Sequence, residues 1–152
     1  MIKKILTFLA CLTPWFISSI IPLNYEFYDT IKKPFFAPPK LFYPIAWTIM
    51  YILIAITIYS IVRMYRIKEI PKSYKITLLI NYIFNQSYTL LFFGLNNTFL
   101  GFVACLGTFL SALFLYEESS LINNKMSKLL YPYITLLIFA TVLSLSIYLL
   151  NI

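Results

Sequence analysis

The chain contains no histidine, so an imidazole-ligated haem or zinc site cannot be built from it. Charge is scarce as well. Only 11% of the 152 residues are charged, against about a quarter in an ordinary soluble domain. Cys11 and Cys105 both lie in apolar sequence and lack C-x-x-C spacing, which leaves no basis for a metal or redox centre. They read as small lipid- or core-facing residues.

What is present is apolar and aromatic. Hydrophobic residues make up 61% of the chain and aromatics 19%, with 14 Phe and 13 Tyr against 2 Trp. Long uncharged stretches separated by charge clusters reject both disorder and a soluble core. Five stretches stand out: residues 5–22, 44–62, 74–94, 98–116 and 129–150. At about 1.5 Å per residue they reach roughly 27–33 Å, the thickness of a hydrocarbon core of about 30 Å. Lipid offers the backbone no partner, so helices are expected. The reading is an all-α fold, one integral membrane bundle of five transmembrane helices spanning residues 1–152. Lys3 and Lys4 before the first stretch also describe a signal peptide, but the run is long for one and no A-x-A-like site follows. A retained first helix is expected.

The net charge of +7 does not point to nucleic acid, because basic residues flank apolar helices for topological reasons. With five spans, one side carries Lys3, Lys4, Arg63, Arg66, Lys68, Lys72, Lys75, Lys125 and Lys128, and the other only Lys32, Lys33 and Lys40. Nine against three places the N-terminus in the cytoplasm and the C-terminus outside. Within the stretches the one charged residue is Lys75, at the start of the third. Ion pumps, proton relays and general acid–base catalysis lack their usual groups.

The first loop, residues 23–41, is long for a small bundle. It holds Tyr25, Phe27, Tyr28, Phe35 and Phe36, and Pro34, Pro38 and Pro39 stiffen it. Such a loop suits a lid over the bundle's mouth. On the third helix Asn81, Asn85, Tyr88 and Phe92 share a face at i, i+4, i+7 and i+11. Two amides in an apolar setting must point into the bundle, either to bond a neighbouring helix or to meet a flat, partly polar ligand. Trp47 and Tyr51, one turn apart, serve either as an interfacial belt or as pocket wall. Gly101, Ala104, Gly107 and Ser111 form a packing surface, within the chain or between subunits.

Four motifs carry a resemblance. Phe27-Tyr28-Asp29-Thr30-Ile31-Lys32-Lys33-Pro34-Phe35-Phe36-Ala37-Pro38-Pro39 resembles the pattern W-Y-x-x-L-x-K-P-x-W-x-P-P, and Phe42-Tyr43-Pro44-Ile45-Ala46-Trp47-Thr48-Ile49-Met50-Tyr51 resembles F-x-P-x-W-T-x-x-Y. Asn81-Tyr82-Ile83-Phe84-Asn85 with Phe92-Phe93, and Pro132-Tyr133 with Phe139-Ala140 and Leu143, complete the set in order. The chain is therefore similar to the translocator-protein (TspO/MBR) family of tryptophan-rich sensory proteins, as a bacterial-type member in the cell membrane. That resemblance implies a five-helix bundle, often a homodimer, binding porphyrins or other flat aromatic molecules under the first loop. Carried over by motif position, the ligand-binding residues are Tyr28, Pro38, Trp47, Tyr51, Asn81, Asn85, Tyr88, Ala140 and Leu143, with no metal and no resident cofactor.

The departures bear on chemistry. Leu136 stands at the family's fifth-helix Trp, Ser144 at its Asn, and Phe27 and Phe36 at its first-loop tryptophans, so Trp47 alone keeps a family indole. Binding with a sensory, scavenging or trafficking role is the leading expectation. The alternatives are light-dependent porphyrin degradation centred on Trp47, and a regulatory membrane partner without a ligand.

Overall fold

Apolar sequence whose backbone must satisfy itself coils into helix, and the computed structural model, which describes residues 2–152, has no strand among those residues. Its α-helices are α1 (Ile2–Leu12), α2 (Tyr25–Thr30), α3 (Phe42–Met64), α4 (Lys72–Thr89), α5 (Thr98–Ser127) and α6 (Tyr131–Leu150). Three helical runs are long and apolar enough to cross a membrane: Phe42–Met64, Lys72–Gly94 and Thr98–Leu150. The last turns back on itself. Asn123 leaves helical geometry at φ −151° and ψ 84°, Lys128–Leu130 form a 3-10 turn, and α5 packs along α6. The result is an all-α membrane bundle.

The first stretch differs from the expected continuous helix. α1 stops at Leu12, and Thr13–Ile20 continue as a 3-10 helix with Pro14 in its first turn. Proline has no N–H to donate and its ring crowds the carbonyl four residues back, so α-helix cannot run through it. The tighter winding rises about 2.0 Å per residue, so the two pieces together still reach roughly 32 Å. Partners on α4 hold the break. Tyr82 Oη donates to the Pro14 carbonyl at 3.0 Å, Gln86 Nε2 donates to the Trp15 carbonyl at 3.1 Å, and the Ser18 amide donates to Gln86 Oε1 at 2.9 Å.

Two further departures lie at helix ends. α5 runs past the expected end at Tyr116 through polar sequence to Ser127, and Ser73 Oγ donates to Glu118 at 2.7 Å along that extension. α4 ends in a π turn at Leu90–Gly94. Asn96 then takes a positive φ of 50°, a conformation asparagine tolerates, and Asn97 caps α5 by accepting from the Leu100 amide at 2.9 Å.

The small residues of α5 pack within the chain. A Cβ on Gly107 would lie 2.5 Å from the Phe84 ring, and one on Gly101 2.5 Å from the Phe92 ring, so aromatic rings of α4 and its π turn occupy that surface. Above them the first loop folds onto the bundle. Phe27 packs on Phe92 with centroids 5.6 Å apart, and Phe36 on Phe139 at 6.3 Å. Asn24 Nδ2 donates to Asn96 Oδ1 at 3.1 Å, and Lys40 pairs with Asp29. At the far end of α6, Asn151 exchanges two bonds with Lys32, accepting from its amide and donating to its carbonyl, each at 2.9 Å. Tyr28 and Ile31 are buried with Phe92, Leu143 and Ile147 beneath this loop.

Candidate functional site

Under the loop lies a cavity of about 290 Å³. The 3-10 helix contributes Phe16 and Ser18, and α2 contributes Tyr28. From α3 come Tyr43, Trp47 and Tyr51, from α4 and its π turn Asn85, Tyr88 and Phe93. α5 supplies Cys105 and Thr108, and α6 supplies Leu137, Ala140, Leu143, Ser144 and Ile147. Exposed Ser19, Leu23, Tyr25 and Lys40 frame the mouth. Tyr28 and Tyr43 join loop to bundle through their hydroxyls, 3.2 Å apart.

Seven of the nine residues expected at the site meet on this wall: Tyr28, Trp47, Tyr51, Asn85, Tyr88, Ala140 and Leu143. Pro38 and Asn81 are not on it. Pro38 sits half-buried in the loop, between a turn closed from the Ala37 amide to the Pro34 carbonyl and one from the Phe42 amide to the Pro39 carbonyl. Its place is in shaping the loop. Asn81 is one helical turn deeper than Asn85 and 0% exposed. Its Nδ2 donates at 3.0 Å to both the Thr108 carbonyl and Ser111 Oγ, and its Oδ1 accepts from Tyr133 Oη at 3.1 Å. Every polar atom of the amide is used in tying α4 to α5 and α6.

Asn85 joins both settings. Its Oδ1 accepts from Tyr51 Oη at 3.0 Å and from Gln86 Nε2 at 2.9 Å, while its Nδ2 donates to Tyr133 Oη at 3.2 Å. A polar chain therefore runs from Asn81 through Tyr133, Asn85 and Gln86 to the broken first helix, and the cavity floor rests on it. Sequence reading passed over Gln86. The available signal was a third amide beside Asn85 in the uncharged part of the helix after Lys75, facing a segment interrupted by proline.

Aromatic rings dominate the rest. Trp47 and Trp15 flank Tyr51 from two sides, with centroid distances of 5.9 and 5.8 Å. Tyr88 stacks on Phe92 at 5.4 Å with planes 8° apart. Leu136 borders a smaller hollow of about 20 Å³ between α3 and α6, with Trp47, Phe139 and Ala140 beside it. The missing indole at Leu136 thus coincides with unfilled space. No group of three or more metal-ligating side chains is found among the described residues.

Fold and cavity together define the class of protein: an all-α membrane bundle with an aromatic-walled cavity beneath a folded loop. The sequence profile of the TspO/MBR family matches residues 5–150. The chain is 34% identical over 150 residues to the "Tryptophan-rich protein TspO" of Bacillus cereus, covering 98% of this chain and 97% of that one. It is 30% identical over 158 residues to the protein of the same name from Archaeoglobus fulgidus, covering 99% and 97%. The "Uncharacterized membrane protein YtaB" of Bacillus subtilis is 31% identical over 128 residues, covering 84% and 82%. The chain belongs to the TspO/MBR family.

Proposed function

We propose that this chain binds tetrapyrroles such as protoporphyrin IX in the cavity under the first loop and serves a sensory, scavenging or trafficking role. The observation that carries this reading is the cavity itself, walled by Tyr28, Tyr43, Trp47, Tyr51, Tyr88 and Phe93. Flat aromatic ligands want that surface, with a few fixed polar groups to orient them, and Asn85, Tyr51 and Ser18 supply these. At about 290 Å³ the cavity lies at the small end of ligand sites. A tetrapyrrole would therefore seat with one edge at the mouth, where Lys40 can meet a carboxylate. The wall residues Tyr28, Trp47, Tyr51, Asn85, Tyr88, Ala140 and Leu143 would make the contacts, with Pro38 acting through loop shape and Asn81 through the polar chain beneath.

Titration of protoporphyrin IX into the detergent-purified protein tests this. Saturable binding is expected in the dark. A second reading, light-driven breakdown of the porphyrin, draws support from the two indoles flanking Tyr51. Trp47→Phe keeps an aromatic face but removes the indole's second ring, a smaller loss than the roughly 3–5 kcal/mol of a full truncation to Ala, so binding should weaken but survive. Under illumination, porphyrin absorbance that fades with the wild type and persists with Trp47→Phe would establish the enzymatic role. Absence of saturable binding would sink both readings.

The first composite helix, α3, α4, α5 and α6 form five spans in this reading, in a bacterial cell membrane, with the N-terminus cytoplasmic and the cavity opening outward. A reporter active only outside the cytoplasm should work when fused after Ile152. Activity from the Arg63–Lys75 loop instead would reverse the orientation. A homodimer, which the family resemblance implies, would need a face other than the α5 surface already filled by α4.

A further inference from the structure

A carboxylate already stands at the mouth of the cavity, and it belongs to the chain. Lys40 Nζ donates to Asp29 Oδ2 at 2.8 Å, the one ion pair among the described residues. Lys40 is also the one charged side chain among the described residues that bound the cavity, and its ammonium lies 5.4 and 5.9 Å from the ring centroids of Tyr25 and Tyr28. Lys33, the other cation beside Tyr28, is committed to the loop backbone, with its Nζ donating to the Tyr28 and Ile31 carbonyls. A guest that brings a carboxylate to the mouth therefore has Lys40 to meet, and finds Asp29 there first.

That pair can exchange partners at little cost. The Lys40 and Asp29 side chains are 45% and 57% exposed, so water replaces a lost partner and the pair itself contributes little to stability. The loop has other ties. Tyr28 meets Tyr43 through their hydroxyls, Asn24 donates to Asn96, and Asn151 accepts from the Lys32 amide, all without Asp29 or Lys40. While the pair stands, its two charges cancel, and the mouth offers an approaching anion almost no net attraction. We propose that Asp29 is an internal competitor for the carboxylate of a guest, and so sets how strongly the cavity prefers flat aromatic molecules that carry a carboxylate over neutral ones. On binding such a guest, Lys40 passes from Asp29 to the incoming group. The proposal rests on the reading that the cavity receives an aromatic ligand, and it adds what holds back the anionic ones.

The test titrates two probes into the whole protein in detergent: protoporphyrin IX, and its dimethyl ester, which keeps the macrocycle and lacks the free carboxylates. Asp29→Asn retains the shape and an acceptor oxygen but removes the charge. It should tighten protoporphyrin IX binding about two- to fivefold, the scale of one exposed ion pair, and leave the affinity for the ester unchanged. Adding Lys40→Gln to Asp29→Asn should abolish the gain. Three results would overturn the proposal: no gain for the free acid, an equal gain for the ester, which would mark a loosened loop instead of a freed cation, or a gain that outlives Lys40→Gln. Should porphyrin bind the wild type with no gain in Asp29→Asn, this inference falls alone; should neither probe bind, the binding role of the cavity falls with it.

Discussion

Asn81→Leu and Asn85→Leu should both lower the melting temperature of the detergent-solubilised protein, but only the second should weaken protoporphyrin binding directly. Leucine nearly matches asparagine in shape, so each change isolates the polar atoms. At position 81 it removes bonds to the Thr108 carbonyl, Ser111 and Tyr133, and strands the Tyr133 proton in a fully buried place. An interhelical bond in a membrane averages about 0.6 kcal/mol, while a stranded buried donor costs about 1–3 kcal/mol. A loss of about 1–3 kcal/mol is therefore expected, with affinity falling less than about threefold. At position 85 the same substitution frees Tyr51 Oη and Gln86 Nε2 and also strips an amide from the cavity wall. Affinity should then drop about tenfold or more, the usual scale for a ligand left without its polar partner. Equal affinity losses in the two variants would show that the amides act as one packing unit.

Gly101→Ala should be among the most damaging single-methyl changes in the bundle. The new Cβ would sit 2.5 Å from Phe92 Cδ2 and 3.0 Å from its Cβ, so turning the ring cannot clear the clash. Phe92 is 1% exposed and is held against Tyr88, Phe93 and Phe27. Overpacking of this kind costs about 1–3 kcal/mol. The displacement also reaches the cavity through Tyr88 and the loop through Phe27, so ligand affinity should decline with stability. Gly107→Ala is the control. Its Cβ meets only ring atoms of Phe84, which is half-buried and has room to swing, so its cost should be smaller. Thermal denaturation of both variants decides the matter, and a larger loss from Gly107→Ala would refute this account of the α4–α5 contact.

Hydropathy made the helices legible because a run without charge admits little else in lipid. It located α3, α4 and α6 to within a few residues and left the ends of α1 and α5 wrong, for separable reasons. Pro14 was read as part of a run although its missing N–H stops α-helix, and the partners that steady the break, Tyr82 and Gln86, are remote in sequence. α5 outlasts its apolar stretch because a helix need not end where the hydrocarbon does. Among the site residues, spacing put Asn81 and Asn85 on one face correctly. It could not set the depth of the cavity, whose floor lies at Asn85. The loop's aromatic and proline content suited a folded lid, but neither composition nor periodicity could place Asn151 against Lys32, a pairing 119 residues apart.

That pairing has a consequence for how the molecule is made. Synthesis runs from the N-terminus, and the loop emerges long before the residues that hold it. Asn151, the far anchor of Lys32, comes behind all of α6, and α6 itself brings Leu137, Ala140, Leu143 and Ser144 to the wall. Until the last helix joins the bundle, the chain carries an open aromatic trough and a loop held only from the side of α3 and the α4–α5 turn, the kind of unfinished apolar surface on which nascent proteins misassemble. The cavity is thus completed only when α6 arrives, and a ribosome stalled before α6 would leave a protein lacking one wall and the Asn151 latch.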